Sequence, residues 1–261
     1  MEKLTPENFA WYDQMISKGY AEKNESYFLV YLNDNHSDKF TAILLTRGSE
    51  IARFLDIGCG TGKYTEIIAS RYAYTVGLDR SVQSLNYALK YHKSANLEYI
   101  LGDSQSLPFG NSTFDTVSSR LSPHNLLEIL RVLKPKGLAT CMRVGEHDAF
   151  RLREVFEQQG LVNKMRQYIA RGEAHSQHIV EQWKQIGFTE VESSEYEYDM
   201  HFRTMTDLAK YLSRIPIIPE FDTDNVDHID KLHKYAEQST HLETKTIVLH
   251  RHRYIIIGVK P

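Results

Sequence analysis

A glycine-rich segment, Asp56-Ile-Gly58-Cys-Gly60-Thr-Gly62, follows a short apolar run and precedes a helical pattern. Glycines at a strand-to-helix turn let the backbone turn tightly and approach a ligand closely. The start of the following helix offers unpaired N–H groups to an anionic group. These residue types therefore predict a loop that binds a small ligand through its backbone.

Acidic residues stand at the ends of the next two strand-like runs. Asp79 follows Asp56 by 23 residues, and an acidic residue at that distance in a doubly wound fold can accept hydrogen bonds from both ribose hydroxyls. Gly102-Asp103-Ser104 ends the third run, where a carboxylate can reach an adenine amino group. Ligands of open parallel sheets bind at the carboxyl ends of the strands, so these residues together predict a nucleoside site.

The elements that must position these residues alternate regularly between about residues 52 and 145. The pattern predicts strands at 53–57, 74–78, 97–101, 113–118 and 138–144, and helices at 63–73, 81–91 and 125–133. Ser81 and Asn125 are the expected N-caps of the last two helices. Strand–helix alternation at this spacing predicts right-handed crossovers and a parallel sheet that is covered on both faces.

The alternation is looser on either side of this region. The pattern predicts helices at 25–32, 38–46, 175–186, 206–215 and 226–236, and strands at 189–202 and 245–259. Two consecutive helices between the last two strands favour an insertion that covers a substrate. A roof of apolar and aromatic side chains suits a small acceptor, but core packing explains the same residues equally well: Tyr196, Tyr198, Phe202, Tyr211, Ile215, Ile217 and Ile218.

Five segments, in this order, resemble the class I S-adenosylmethionine-dependent methyltransferases. They are Phe54–Gly62, Gly77-Leu-Asp79, Gly102–Phe109, Phe114-Asp115 and Arg131–Gly137, and the match covers about residues 50–145. The resemblance implies that the loop from Asp56 to Gly62, with Cys59, holds the methionine end of S-adenosylmethionine. It also implies that Asp79 binds the ribose, that Arg80 belongs to the same site, and that Asp103 and Ser104 bind the adenine.

The resemblance also implies the fold and the domain organisation. We expect a doubly wound, Rossmann-like, mostly parallel seven-stranded sheet with an antiparallel last strand and a small helical lid insertion. Residues 1–40 would form an N-terminal helical cap, 41–202 with 245–261 the core, and 203–244 the lid. Within the cap, Trp11 and Tyr12 are candidates to fold over the cofactor.

A nicotinamide-dependent dehydrogenase is the competing interpretation within the same fold. Its fingerprint requires a third glycine three residues after the second. Lys63 occupies that position here, and the third glycine comes one residue early, at Gly62. The Gly102-Asp103-Ser104 segment also has no counterpart in that fingerprint, so the methyltransferase interpretation is favoured.

Histidines near the predicted site are candidates for acid–base chemistry. His124 follows the fourth strand and could act as a general base, although Pro123-His124-Asn125 could equally start the next helix. His147, after the fifth strand, is a second candidate. Cys59 is interpreted as a packing residue and not as a nucleophile, because no histidine lies nearby in sequence to activate it.

Two histidine pairs have the spacing of metal ligands. His175 and His178 are interpreted as part of a solvated helical turn. His250 and His252 share one face of the last strand, with Arg251 and Arg253 on the other, and are interpreted as a solvated strand face. No metal site is therefore expected.

Composition limits the class of protein and its partners. The chain has 261 residues, 41% hydrophobic, and 31 basic against 34 acidic residues give a net charge of −3. Cys59 and Cys141 imply no disulfide framework, the first residues lack the layout of a secretory signal, and no apolar run approaches the ~20 residues of a membrane helix. We expect a cytoplasmic enzyme without a membrane partner.

The acceptor is the least determined part of the prediction. The balanced charge makes nucleic acid an unlikely partner and favours a small-molecule acceptor, methylated on an oxygen, nitrogen or carbon atom. An RNA or protein methyltransferase remains the alternative. It would need a basic groove, for which the candidates are Arg143, Arg151, Arg153, Lys164, Arg166 and Arg171. A non-catalytic module that binds S-adenosylmethionine is a third interpretation, and the sequence predicts no oligomeric state.

Overall fold

A single eight-stranded sheet runs through the computed structural model, which describes residues 27–32, 35–157 and 175–261. Its strands are β1 (Tyr27–Tyr31), β2 (Arg53–Ile57), β3 (Tyr74–Asp79), β4 (Leu97–Leu101), β5 (Phe114–Arg120), β6 (Leu133–Val144), β7 (Thr189–Phe202) and β8 (Ile247–Val259). They lie in the order β1-β7-β8-β6-β5-β2-β3-β4. The described helices are α1 (His36–Arg47), α2 (Lys63–Ala69), α3 (Val82–Tyr91), α4 (Leu126–Val132), α5 (Phe150–Val155), α6 (His175–Ile186), α7 (Met205–Leu212) and α8 (Val226–Ser239).

The strand directions confirm the predicted fold class. Strands β2 to β6 pair in parallel with one another, and β8 is antiparallel to both β6 and β7. Strand β7 therefore runs in the direction of β6, and β1, which is antiparallel to β7, runs opposite to it. The seven predicted strands are all present, and β1 adds an eighth at the edge.

The helix predicted at 25–32 is wrong where the structure describes it, because Tyr27–Tyr31 forms β1. Tyr27 pairs with Phe202 and Tyr31 with Tyr198, and the ring centroids of these pairs lie 5.4 and 5.8 Å apart. A run of aromatic and β-branched residues gains more from this pairing than from an isolated turn of helix. Residues 1–26, with Trp11 and Tyr12, and the range 158–174 lie outside the described residues.

Local capping signals place the helices as the sequence predicts. Ser81 accepts a hydrogen bond from the Ser84 amide at 3.1 Å, and Asn125 accepts one from the Leu127 amide at 3.0 Å. Asn35 begins α1 by accepting hydrogen bonds from the amides of Ser37 and Asp38. Each cap fixes the start of a helix that follows a strand end, and so fixes the edge where a ligand would bind.

The inserted helices belong to a hydrophobic core of their own. Leu208 and Leu212 of α7 and Leu232 of α8 are at most 1% exposed, and they pack in one cluster with Phe202 of β7. Most of the proposed roof residues lie in this cluster. Tyr196 instead packs against the cluster that contains Met142 and Ile255. Core packing is therefore the main role of these side chains, and closure over a substrate remains a prediction.

None of the helices among the described residues combines the length and the apolar character needed to cross a membrane.

Candidate active site at the carboxyl ends of the strands

The glycine loop between β2 and α2 has the left-handed backbone that only glycine adopts freely. The φ angles of Gly58, Gly60 and Gly62 are +72°, +54° and +82°. A Cβ atom on Gly58 would lie 2.0 Å from the Ser122 hydroxyl oxygen, and one on Gly62 would lie 2.3 Å from the Tyr99 hydroxyl oxygen. A Cβ atom on Gly60 would meet nothing within 4 Å, so the loop is packed on its flanks and open at its middle.

Asp79 joins this loop to the end of β3. One carboxylate oxygen accepts the Gly60 N–H at 2.8 Å, and the other accepts the Ser81 N–H at 2.9 Å. The carbonyl of Leu78 also accepts the amides of Gly58 and Cys59. The tips of β2 and β3 therefore form one hydrogen-bonded unit, and the acidic side chain predicted to bind a ribose lies within it.

Asp56, the first residue of the predicted cofactor loop, lies beneath that loop. It is 6% exposed, and it accepts hydrogen bonds from the hydroxyls of Thr65 at 2.6 Å and Ser118 at 2.7 Å. Burial raises the pKa of this carboxyl, and the two hydroxyl bonds oppose that rise. Asp56 therefore supports the loop from below by joining β2 to α2 and β5.

The remaining predicted cofactor residues stand at the tips of β3 and β4. Arg80 and Asp103 are exposed, and Ser104 is half-buried. Asp103 accepts the Gln105 amide at 2.9 Å, and the Gly102 amide donates to the Asp79 carbonyl at 2.9 Å. All nine residues predicted to hold the cofactor thus lie at the carboxyl ends of three neighbouring strands or in the loops that follow them.

Cys59 has the character of a packing residue. Its side chain is half-buried, and a Cβ atom on Gly77 of β3 would lie 3.0 Å from its sulfur. Burial, with Asp79 and Asp56 nearby, raises the pKa of the thiol well above its ordinary value. A nucleophilic cysteine needs the opposite shift, so the structure supports the interpretation made from sequence.

His124 lies in the loop that follows β5, and a backbone carbonyl fixes the tautomer of its ring. Nδ1 is 3.0 Å from the Ser122 carbonyl oxygen and 3.0 Å from the Ser119 hydroxyl. Since a carbonyl only accepts, the proton belongs on Nδ1, and Nε2 is the basic nitrogen. Burial lowers the pKa of His124 to about 4, although the Ser122 carbonyl opposes the shift. The ring is neutral at pH 7 and is a weak proton acceptor.

A second group of polar side chains, which the sequence interpretation missed, lies beside the loop. His36 of α1 stacks on Tyr198 with ring centroids 4.5 Å apart, and Arg120 of β5 lies 3.5 Å from the centroid of the Tyr64 ring. Burial lowers the pKa of His36 to about 4, and the positive charges of Arg253 and Arg120 add to the effect. No short-range motif joins residues so far apart in sequence.

Three nitrogens of this group have no hydrogen-bond partner within the described part of the chain: Nδ1 of His36, Nη1 of Arg120 and Nε of Arg253. Arg120 also donates to the Ser37 hydroxyl at 3.1 Å, next to His36. An unpaired N–H on a buried guanidinium is costly, because the hydrogen bond that it makes in water is not replaced. The two arginine nitrogens therefore mark the β5–β8 side of the edge as favourable to an anionic group, whereas the neutral ring of His36 adds a polar atom without a charge.

Strand β8 is not the solvated strand that the sequence interpretation expected. His252 is fully buried, and Arg251 and Arg253 are each 3% exposed. Both arginines bond to the buried carboxylate of Asp148. Burial opposes ionisation of Asp148, but Arg251 and Arg253 outweigh it and hold the pKa of the carboxyl below its usual range. Because Asp148, in the loop after β6, pairs with the arginines of β8, both faces of β8 can be buried.

The other candidate histidines contact side chains outside the glycine loop. His147 is half-exposed beside Glu197 of β7, with Nδ1 3.7 Å from the carboxylate. His178 is exposed, and its Nε2 lies 3.0 Å from the Gln182 amide nitrogen. The side chain of His175 lies outside the described residues, as do Lys164, Arg166 and Arg171 of the suggested basic groove.

Known proteins share both the sequence signature and the fold. The methyltransferase domain family matches residues 55–141. The chain is 30% identical over 174 residues to the biotin biosynthesis bifunctional protein BioHC of Cellvibrio japonicus. This alignment covers 64% of this chain and 34% of that protein. It is 32% identical over 116 residues to the demethylmenaquinone methyltransferase of Bacillus licheniformis, which covers 40% of this chain and 50% of that protein. The chain thus spans between a third and a half of the length of these two relatives.

Solved structures agree on the fold. The phosphoethanolamine N-methyltransferase 2 of Haemonchus contortus, in complex with S-adenosyl-L-methionine, superposes with a TM-score of 0.53 at 19% identity. The alignment covers 95% of this chain and 57% of that one. The matched domain over residues 55–141 and the arrangement of the strand tips agree with the resemblance to the class I S-adenosylmethionine-dependent methyltransferases that the sequence shows.

Proposed function

We propose that this protein transfers a methyl group from S-adenosylmethionine to a small-molecule acceptor. The observation that carries the proposal is the hydrogen-bonded unit of glycine loop and Asp79 at the carboxyl edge of the sheet. S-adenosylmethionine would supply an electrophilic methyl group on a sulfonium. The open space at Gly60 fits a ligand that lies against the loop backbone, and the carboxylates of Asp79 and Asp103 suit a cationic nucleoside.

The proposed roles of the residues follow from their positions. Gly58, Gly60 and Gly62, with Cys59, would hold the methionine end, and Asp56 would keep their loop in place from below. Asp79 would accept hydrogen bonds from the ribose, with Arg80 beside it. Asp103 and Ser104 at the tip of β4 would face the adenine. Alignment of the acceptor with the methyl donor is the main catalytic effect that such a site supplies, worth ~7–11 kcal/mol in well-oriented systems.

His124 remains the candidate general base, through Nε2. A base with a pKa of about 4 is poorly matched to proton transfer at pH 7, so its contribution should fall well below the ~10²–10⁴-fold of a matched base. An acceptor whose nucleophilic atom carries no proton at pH 7 would not need it. His124→Gln should therefore lower kcat by about tenfold or less, and a larger loss would assign the base role to His124.

The nature of the acceptor is supported by the relatives and by the charged group beside the loop. The relatives named above include one named for demethylmenaquinone and one for biotin biosynthesis, and both names concern small molecules. The unpaired guanidinium nitrogens of Arg120 and Arg253 favour an acceptor with an anionic group. Of the arginines suggested for a basic groove, Arg153 is half-buried and donates to the Asp148 carbonyl, which argues against its use by RNA.

Transfer of a labelled methyl group tests the proposal. The full chain would be incubated with methyl-labelled S-adenosylmethionine in three separate reactions. These contain a low-mass cell extract, total RNA or total protein. We expect label in the low-mass fraction, and we expect Arg120→Gln to reduce it more than it reduces cofactor affinity. Label that enters only RNA or protein would overturn the small-molecule acceptor, and no label in any fraction would favour a non-catalytic binding module.

A further inference from the structure

Four potential metal ligands converge where β6, β7 and β8 meet at the carboxyl edge. They are His147 of the β6–α5 loop, Glu195 and Glu197 of β7, and His252 of β8, and one ligand atom of each lies within 4.8 Å of the others. Glu195 pairs with Tyr254 and Glu197 with His252 in the β7–β8 register, so these side chains share one face of the sheet. We propose that this cluster, here called the histidine–glutamate cluster, binds a divalent first-row transition-metal ion.

His252 differs from the other three residues in its burial and in the surroundings of its Nε2 atom. Its side chain is fully buried, and its Nε2 atom has no aligned hydrogen-bond partner among the described residues. The Glu195 carboxylate oxygen lies 2.7 Å from this nitrogen but outside hydrogen-bond alignment. The contact places an imidazole nitrogen and a carboxylate oxygen side by side at the buried end of the cluster, and an ion bound to both would move them apart to about 3.4 Å.

The burial pattern gives the cluster a closed base and an open mouth. The side chains of His147, Glu195 and Glu197 are 42%, 49% and 36% exposed, whereas His252 lies at the bottom. An ion can therefore reach the cluster from solvent, and His252 holds the innermost position. Tyr254, on the same face, donates to the Glu146 carboxylate at 2.9 Å and adds a further acidic group beside the cluster.

The donor set selects the class of ion. Two imidazoles and two carboxylates suit Zn²⁺, Co²⁺ or Mn²⁺, whereas Mg²⁺ and Ca²⁺ prefer oxygen ligands throughout. Two carboxylates neutralise a divalent charge. Ligands about 2.0–2.2 Å from a tetrahedral Zn²⁺ lie about 3.4 Å from one another, so the cluster must contract by up to about 1.4 Å on binding.

Binding also changes the hydrogen bonds of His252. The His147 amide donates to Nδ1 of His252 at 3.1 Å, so the proton of the metal-free ring belongs on Nε2. A metal ion on Nε2 displaces that proton. The neutral ring then carries its proton on Nδ1, and the hydrogen bond from the His147 N–H to Nδ1 is lost. His147 lies in a loop, so this adjustment leaves the strand pairing of β6, β7 and β8 intact.

Metal titration of the whole chain tests the proposal independently of methyl transfer. Chelator-stripped protein would be titrated with Zn²⁺ by calorimetry and with Co²⁺ by absorption spectroscopy. We expect one ion per chain and Co²⁺ bands of a four- or five-coordinate site. His147→Gln and Glu197→Gln, at half-exposed positions, should each weaken binding at least tenfold, while His233→Gln and His178→Gln, at exposed positions elsewhere, should not.

Two results would overturn the proposal. One is the absence of saturable Zn²⁺ and Co²⁺ binding to wild-type protein whose circular dichroism shows a folded chain. The other is binding that His147→Gln and Glu197→Gln leave unchanged, which would place the ion on other histidines. Failure of S-adenosylmethionine binding would bear on the proposed function and not on this site.

Discussion

The two halves of the carboxyl edge are built in opposite ways. On the β2–β4 side, backbone amides and short polar side chains hold the glycine loop, and the supporting contacts come from consecutive strand tips. On the β6–β8 side, buried ion pairs hold the elements together. Asp148 pairs with Arg251 and Arg253, which lie more than a hundred residues away in sequence. A loop of this kind suits a ligand common to a whole family, whereas a set of buried charges can differ from one acceptor to the next.

The largest expected effect lies on the β6–β8 side. Asp148→Asn would leave two buried guanidinium groups without their carboxylate, and loss of one partner of a buried pair costs ~3–5 kcal/mol of unfolding free energy. Urea denaturation at pH 7 measures it. The exposed pair of Asp227 and Lys231 gives the control, Asp227→Asn, which should leave stability unchanged. Equal effects of the two variants would show that buried charge does not hold this side together.

The next effect concerns Asp79 on the loop side. Asp79→Ala removes the carboxylate that holds the Gly60 amide and that we expect to bind the ribose, at ~1.5–3 kcal/mol for each lost bond to a charged group. Calorimetric affinity for S-adenosylmethionine should fall by at least about tenfold. Asp103→Ala, at an exposed position, should have the smaller effect. If the order is reversed, the tip of β4 and not that of β3 carries the main contact.

A pair of glycine variants separates packing from backbone strain within the loop. Alanine at Gly58 or Gly60 meets a positive φ, which costs ~1–2 kcal/mol at either position. Only at Gly58 does the new Cβ atom also collide with Ser122, which adds roughly 1–3 kcal/mol. We therefore expect Gly58→Ala to lower the unfolding free energy more than Gly60→Ala. Thermal and urea unfolding of both variants provide the measurement, and identical losses would mean that Ser122 moves aside.

The most gradual effect is the pH dependence of stability. The folded protein keeps His36 and His124 neutral, with pKa values of about 4 against 6.5 in the unfolded chain. Their contribution is present above pH 6.5 and is lost as the pH falls from 6.5 to 4, because protons then bind the unfolded state first. His250, whose pKa is raised by its bond to Asp199, contributes in the opposite sense.

Denaturation curves across this pH range check the sign. The unfolding free energy should decrease from pH 6.5 to pH 4 in the wild type, and less steeply in His124→Gln. A slope that the substitution leaves unchanged would place the titration on other groups.

The difference between the two halves also explains how much could be predicted. The glycine loop, Asp79, Asp103 and the caps Ser81 and Asn125 depend on neighbours within a few residues or at a fixed spacing, so their positions were predicted from sequence. The β1 strand depends on Phe202 and Tyr198, far along the chain, and was predicted as a helix. The burial of His252 and the neighbourhood of His36 and Arg120 likewise arise from strand order, which no local pattern encodes.

Calorimetric titration of the full chain with S-adenosylmethionine tests the central claim, that the tips of β2, β3 and β4 hold this nucleoside. We expect saturable binding of S-adenosylmethionine and of its demethylated product at one site per chain, and weaker binding of both to Asp79→Ala. Absence of heat with both, together with saturable binding of a nicotinamide dinucleotide that Asp79→Ala removes, would contradict it.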